Sequence, residues 1–340
     1  MLGRDRLDRV DAMGMHLIYD RWPQIARESY ESDAGTPPVT HDGPITHVVF
    51  AGMGGSGAIG DLFSAVLSKT GTHVTVTKGY ALPRTANGET LVVATSISGN
   101  TPETLAILDS ARRTGANVAA VSSGGRMEEF CRQNGLRHIR ISQTHSPRAS
   151  LVGAVFTMLR ALEDVLPLHR RDISEAVGRL EEVGGRISSA NLDGSDNVAQ
   201  NVAERLGPIP LIYYPFGLQA AATRFKNGLQ ENAKMHAIAE DVVEACHNGI
   251  VAWERPSGAS PVMITGSDDH PKTRERWDIL REYFASRGIA HTEMQSGTGG
   301  ILAKIVGLVY WADYASIYRA VMDGIDPSPI RSIEFVKDRL

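Results

Sequence analysis

The chain reads as an α/β protein of two tandem units, each a mostly parallel sheet flanked by helices on both faces. Three observations point there. Short β-rich runs alternate with helical patterns twice along the sequence, as parallel strands joined by crossover helices require. At 340 residues the chain is long for a single core, so length also favours two. Finally, its glycine- and hydroxyl-rich turns fall where strands end and helices begin, the place where open parallel sheets bind ligands.

Residues 1–44 read as a helical lead-in (Asp5 to Tyr30) and a Pro/Gly-rich loop, Gly35 to Pro44. The first alternating block has β-rich runs at Ile45–Gly52, His73–Thr77, Glu89–Thr95, Val118–Ser122 and Arg137–Ile141. Helical patterns lie between them at Ala58–Ser68, Pro102–Thr114 and Arg126–Asn134. A long helical region, Leu151 to Ser189, precedes the second block. Its strands are Pro210–Tyr214, Pro261–Thr265 and His291–Met294, with a further candidate at Asp241–Val243. Its helices are Leu218–His236, Pro271–Arg287, Gly300–Met322 and Ser328–Leu340. We therefore place the first domain at 45–165, a helical linker at 166–189 and the second domain at 190–340. The halves share no visible sequence identity, so any duplication is one of topology.

Composition narrows the class. The apolar fraction of 42 % and charged fraction of 22 % suit a soluble globular protein. A net charge of −4 with no basic block argues against nucleic-acid or anionic-membrane partners. Cys131 and Cys246 are too few for a disulfide framework, which fits a reducing compartment. The N-terminus mixes both charges and lacks a signal-peptide apolar core. The apolar stretch Gly300 to Val321 carries Lys304, Asp313 and Arg319 with a helical period, as a buried domain helix does. The expected location is the cytoplasm.

The turn Ala51-Gly52-Met53-Gly54-Gly55-Ser56-Gly57 follows the apolar run Ile45 to Phe50. A strand that breaks into glycines and reopens as a helix is an anion cradle, because backbone N–H groups converge there with a helix N-terminus. The string Gly52-x-Gly54-x-x-Gly57 also matches the dinucleotide fingerprint. That reading needs a carboxylate about 20 residues on to hold the ribose hydroxyls. Lys78-Gly79 ends the next strand instead. No Gly-Lys-Ser/Thr follows, so a nucleoside-triphosphate loop is ruled out. A purely structural tight turn is the plain alternative.

A second turn, Thr95-Ser96-Ile97-Ser98-Gly99-Asn100-Thr101, follows Leu91 to Ala94. Any one of its hydroxyls could be a helix cap. Ser96, Ser98 and Thr101 together suggest a phosphate shell without arginine, whose donors carry no fixed charge and suit a ligand that must leave.

Gly54-Gly55-Ser56 with Ser96-x-Ser98-Gly99-Asn100-Thr101 resembles the sugar isomerase (SIS) domain. Asn227-Gly228-Leu229-Gln230-Glu231-Asn232-Ala233-Lys234, followed by His247-Asn248, narrows the likeness to the bifunctional phosphoglucose/phosphomannose isomerase family. That family is built from two SIS domains, and the resemblance covers nearly the whole chain after residue 45. It implies a metal-free aldose–ketose isomerase of glycolysis and gluconeogenesis with no cofactor. Its substrate would be a sugar monophosphate held by Gly54, Gly55, Ser56, Ser96, Ser98 and Thr101.

The resemblance also assigns catalytic roles. Glu231 matches the proton-transfer base; its neighbours Leu229, Gln230, Asn232 and Ala233 are apolar or amide-bearing, so burial could raise its carboxylate to a useful pKa. The bland alternative is a solvated helix glutamate paired with Lys234. His247 matches the ring-opening histidine, which in this family comes from the partner subunit and makes a homodimer necessary. Here the pattern departs: Cys246-His247-Asn248-Gly249 stands where relatives show Asn-His-Asn-Glu. Arg148, in Ser146-Pro147-Arg148-Ala149, matches an enediolate-stabilising arginine. Lys337 matches a lysine that assists ring opening, although on position alone it is a tail lysine. Ser328 stands where relatives carry threonine and is assigned a contact with the sugar or a water.

No metal-ligand set is legible among the scattered histidines, and Ser56 lacks the setting of a nucleophile elbow. The rival function is a phosphosugar sensor, and Gly249 keeps it open. Sensors usually attach a DNA-binding segment, and residues 1–44 show no helix-turn-helix and no basic face. A glutamine-dependent aminosugar synthase would need an N-terminal cysteine amidotransferase domain, for which the sequence offers no candidate.

Overall fold

The computed structural model describes residues 2–32, 39, 43–192 and 196–339. Its helices and strands, in chain order, are α1 (Arg4–Val10), α2 (Met15–Asp20), α3 (Trp22–Glu31), β1 (His47–Ala51), α4 (Gly54–Leu67), β2 (His73–Thr77), β3 (Thr90–Thr95), α5 (Pro102–Ala111), β4 (Asn117–Ser122), α6 (Gly125–Asn134), β5 (Arg137–Arg140), α7 (Leu151–Leu162) and α8 (Arg170–Ile187). There follow α9 (Val198–Arg205), β6 (Ile209–Tyr214), α10 (Gln219–Glu231), β7 (Ile238–Asp241), α11 (Val242–Ala245), β8 (Ala259–Thr265), α12 (Pro271–Ser286), β9 (Thr292–Gln295), α13 (Ile301–Met322) and α14 (Arg331–Lys337). The chain divides into two compact units. One comprises Arg21–Gly178 with Gly300–Leu302, the other Met1–Asp20, Arg179–Gly299 and Ala303–Leu340.

The unit around Arg21–Gly178 holds a five-stranded sheet in the order β2-β1-β3-β4-β5, with every pairing parallel. Successive side chains of a strand face opposite sides, and both sides are covered. Val49 and Ala51 of β1 join Val92 of β3 in an apolar cluster with Ile107 and Ala111 of α5. Phe50, pointing the other way, stacks on Phe63 of α4 with ring centroids 5.0 Å apart. That two-sided burial is why β1 and β3 read as unbroken apolar runs rather than as alternating ones. Helices α3 and α7 pack together, and the Trp22 indole N–H donates to the Ala149 carbonyl at 3.0 Å.

The other unit holds a four-stranded parallel sheet in the order β7-β6-β8-β9. Tyr213 of β6 and Met263 of β8 lie on one face with Val242, Trp277, Leu280 and Phe284. On the opposite face Ile212 and Ile264 are fully buried. Helix α13 is buried along most of its length, which explains its apolar composition: it is a core helix. Among the described residues no helix is long and apolar enough to cross a membrane. Renumbered from its own first strand, this sheet has the order 2-1-3-4, the same as the first four strands of its counterpart. The duplication is thus visible in topology.

Several boundaries differ from the sequence expectation. The lead-in is three short helices rather than one, the first two separated at Asp11 to Gly14 and the third started by Pro23 in its first turn. The helical region from Leu151 breaks between α7 and α8, where Pro167 withholds an N–H donor. Helix α4 starts at Gly54, earlier than Ala58, because the glycines form its first turn. The candidate strand at Asp241–Val243 is displaced: β7 ends at Asp241, whose carboxylate caps α11 by accepting the N–H groups of Val243 and Glu244. Helix α10 stops at Glu231, short of His236, and Lys234 follows with a left-handed φ of 57°. The last helix is confined to α14. Most of the expected loop from Gly35 to Pro44 lies outside the described residues.

Candidate active site

The order β2-β1-β3 places a topological switch point between β1 and β3, where crossovers leave in opposite directions. Ala51 of β1 is level with both Thr77 of β2 and Ala94 of β3. The glycine turn after β1 and the hydroxyl turn after β3 therefore emerge side by side. One bond joins them: the Ile97 N–H donates to Ser56 Oγ at 3.2 Å. Ser56 lies in the first turn of α4 and is nearly buried at 8 % exposure.

Gly52, Gly54 and Gly57 of the first turn each have a steric or backbone reason. A Cβ on Gly52 would meet the Ser56 carbonyl carbon at 2.9 Å, and one on Gly57 would meet the Gly52 carbonyl oxygen at 2.9 Å. Gly54 has a φ of 53°, the left-handed region, and is exposed above the first turn of α4. Gly60 lets α4 close on β1, since a Cβ there would meet Phe50 Cβ at 3.0 Å. Lys78 turns its ammonium to Asp61 at 2.6 Å, and its stem passes Gly57.

In the second turn Ser96 Oγ and Thr101 Oγ1 lie 2.8 Å apart, and Ser96 Oγ also accepts the Thr101 N–H at 3.4 Å. Thr101 is the N-cap of α5, with Pro102 at the first helical position. Ser98 Oγ accepts the Asn100 N–H at 3.4 Å. One of the Ser96 and Thr101 hydroxyls donates to the other, which leaves that pair one O–H to donate outward, and the helix N-termini behind the turns favour an anion.

A third loop belongs to this assembly and was not singled out in the sequence. Ser122-Ser123-Gly124-Gly125 follows β4, where the Ser123 N–H donates to the Ile97 carbonyl at 2.9 Å and the Arg126 N–H to Asn100 Oδ1 at 3.1 Å. Gly99, Gly124 and Gly125 all have positive φ, and a Cβ on Gly99 would run into the Gly124 carbonyl. Its signal was present in sequence as two hydroxyls and two glycines at the end of a strand.

Arg148 is in the same unit, 3 % exposed, in the turn that enters α7. Ser150 shapes that turn: its hydroxyl contacts the Thr144 and Ser146 carbonyls at 3.0 and 2.9 Å and accepts the Thr144 N–H at 2.9 Å. His145 in the turn has a left-handed φ of 56°.

Glu231, His247, Lys337 and Ser328 belong to the other unit. Glu231 is the last residue of α10 and is partly buried. The expected i,i+3 neighbour Lys234 donates its ammonium to the Glu231 main-chain carbonyl at 2.6 Å and to those of Asp326 and Pro327 at 3.4 Å. This draws the turn carrying the nearly buried Ser328 to the end of α10. Asn232, 1 % exposed, donates to Ser316 Oγ of α13 at 2.8 Å and secures the same end. His247 and Lys337 are both exposed, and α14 has no buried residue.

The structure bears on the missing carboxylate at Gly249. A Cβ at that position would lie 2.8 Å from both oxygens of Glu240, so the carboxylate of β7 already occupies this space. Burial, together with the nearby Glu244, raises the Glu240 pKa above its usual value. Among the described residues no three His, Cys, Asp or Glu side chains converge as a metal-ligand group.

Two parallel α/β units, with glycine- and hydroxyl-rich turns adjoining at a switch point of the first, have the fold of sugar isomerase (SIS) domain proteins. A family model described as the bacterial phospho-glucose isomerase C-terminal SIS domain matches residues 195–340. The bifunctional phosphoglucose/phosphomannose isomerase of Caldicellulosiruptor bescii is 30 % identical over 327 residues, covering 94 % of this chain and 96 % of its own. The chain belongs to the bifunctional phosphoglucose/phosphomannose isomerase family. Two solved structures share the fold: a hypothetical protein from Thermus thermophilus (TM-score 0.75, 14 % identity, 98 % of this chain and 92 % of that one), and tagatose-6-phosphate ketose/aldose isomerase from Escherichia coli (TM-score 0.66, 15 % identity, 94 % and 95 %).

Proposed function

We propose that this chain is an aldose–ketose isomerase that interconverts glucose 6-phosphate, and mannose 6-phosphate, with fructose 6-phosphate. The observation that carries the reading is the bond from the Ile97 N–H to Ser56 Oγ, which couples both hydroxyl-bearing turns at one switch point. Family membership supplies the substrate class.

In this reading the hydroxyls of Ser56, Ser96, Ser98 and Thr101 and the backbone N–H groups near Gly54 and Gly55 hold the phosphate. His247 and Lys337 move the proton between the ring oxygen and the C1 hydroxyl that opens the sugar. Glu231 takes the proton from C2 of the aldose and returns it to C1, giving the ketose through an enediolate. Arg148 steadies the enediolate oxygens. Both epimers are served if the open chain can turn about C2–C3 before the proton is taken. Exposed His247 and the uncovered Ile333, Phe335 and Val336 of α14 favour a homodimer in which His247 serves the partner's site. The enzyme works in the cytoplasm, between glycolysis and gluconeogenesis.

A coupled assay of fructose 6-phosphate formation from each aldose phosphate, with and without a chelator, tests the proposal. We expect turnover of both substrates, unchanged by the chelator. Absence of turnover with either would overturn the reading, and loss of activity with chelator would overturn its metal-free chemistry.

A further inference from the structure

The end of α10 that carries Glu231 lies over a buried ion pair that the scheme above does not use. Arg224, 3 % exposed, donates from Nε to both oxygens of Asp313 on α13 at 2.9 and 3.1 Å, and from Nη2 to Oδ2 at 2.6 Å. Asp313 is fully buried and also accepts the Tyr19 hydroxyl at 3.1 Å. Such a pair is an expensive way to stabilise a core, because apolar residues of similar volume usually do as well. Its presence at this spot invites a functional explanation.

The geometry relates the pair to Glu231. Arg224 is seven residues before Glu231, two turns along one face of α10. Between them stands Gly228, three residues before Glu231 and on the same face. A Cβ there would meet Ser316 Oγ at 3.0 Å and Asp313 Oδ1 at 3.5 Å. Glycine thus lets α13 approach closely enough to put the Asp313 carboxylate one turn below Glu231. The Asn232–Ser316 bond clamps the helix end in that register.

We propose that Arg224 and Asp313 are positioning residues for Glu231: the pair offers it a fixed, nearly balanced charge environment from beneath. The proposal rests on Glu231 being the proton-transfer base. Burial works to lower the Arg224 pKa, but Asp313 and Tyr19 drive it up, so the guanidinium stays charged. Burial raises the Asp313 pKa, an effect that Arg224 and Tyr19 only partly offset, and the charge of Glu231 adds to the rise at both Arg224 and Asp313. Tyr19 of α2 also faces the pair, and Lys234 after α10 and Asp326 before Ser328 are engaged with the chain at the end of α10.

The test is the pH dependence of kcat/KM for fructose 6-phosphate. Arg224→Met removes the cation beneath Glu231, and its acid limb should move up by about one pH unit. Asp313→Asn removes the partner carboxylate and keeps the cation, and its limb should move down by a similar amount. Arg224→Lys should keep the limb near that of the wild type. A merely structural pair would give lower activity with unmoved limbs, or limbs that move the same way, and either result overturns the proposal. If the single variants do not fold, Arg224→Met/Asp313→Leu removes both charges together. With both charges gone its acid limb should stay near that of the wild type, and a limb displaced by about one pH unit or more would overturn the proposal. Glu231→Gln separates the two readings. A Gln variant that turns over normally defeats the assignment of the base, whereas an inactive Gln variant with unmoved limbs defeats only the role of the pair.

Discussion

The Ser56 hydroxyl accepts the Ile97 main-chain N–H at 3.2 Å across two adjacent strand ends. This contact makes a single cradle of two turns separated by some forty residues of sequence. Ser56→Ala removes both that acceptor and a hydroxyl proposed to hold the ligand phosphate. We expect KM for the sugar phosphate to rise about tenfold, near 1.4 kcal/mol, with kcat within about twofold. Steady-state kinetics checks the split. A loss confined to kcat would place Ser56 in the chemistry instead.

Gly99 is the steric centre of the three-loop assembly. Its φ is 70°, and a Cβ would meet the Gly124 carbonyl carbon at 2.8 Å and Ser122 Oγ at 3.2 Å. Gly99→Ala should destabilise the protein by about 3 kcal/mol, from backbone strain and displacement of Gly124. Urea unfolding monitors it, and phosphate binding should weaken together with stability. A neutral substitution would show that the loops can separate freely.

At Gly249 the glutamate that the family resemblance leads one to expect would displace the Glu240 carboxylate. Gly249→Glu brings a Cβ to 2.8 Å from both oxygens of Glu240 and adds a like charge. We expect a loss of about 1–3 kcal/mol. Glu240→Ala in the same chain should restore about half of it or more, and a double-mutant cycle of thermal stabilities measures that coupling. Additive effects would mean that the two positions do not compete for one space.

Asp11 gives an acid-sensitive contribution. Burial raises its pKa, but hydrogen bonds from the His16 ring and from the N–H groups of His16 and Met15 outweigh this and hold it below the usual carboxylate value. A depressed folded pKa means the stabilisation is present above the unfolded value, about 3.9. It is lost as pH falls through the folded value. Asp11→Asn should therefore cost about 1–3 kcal/mol at pH 7. The difference from the wild type should narrow as pH falls through the depressed folded value. Urea titrations at neutral and acid pH test the sign.

The sheets were legible because β1, β3 and β8 are buried apolar runs closed by glycine or hydroxyl turns, a pattern that few other structures produce. Helix starts were less so. Gly54 to Gly57 looks like loop to any propensity argument, yet Ser56 needs that turn to be helical to reach Ile97. The Ser122–Gly125 loop escaped notice because its hydroxyls and glycines act through loop-to-loop bonds, and sequence spacing does not report which loops touch. Gly228 and Asp313 were visible only as a glycine in a helix and a charge in an apolar one. Their relation to Glu231 requires the packing of α10 on α13. The Glu240 carboxylate against Gly249 is likewise a tertiary substitution, invisible until β7 and the loop after α11 are seen together.

The most direct measurement follows Glu231→Gln in deuterated water, with glucose 6-phosphate as substrate and NMR of the sugar as readout. The wild type should form fructose 6-phosphate that carries solvent deuterium at C1. The Gln variant should bind sugar phosphate with near wild-type affinity, yet neither form ketose nor exchange the C2 proton. Turnover or exchange by the Gln variant near the wild-type rate would contradict Glu231 as the base, and with it the isomerase mechanism proposed for this chain.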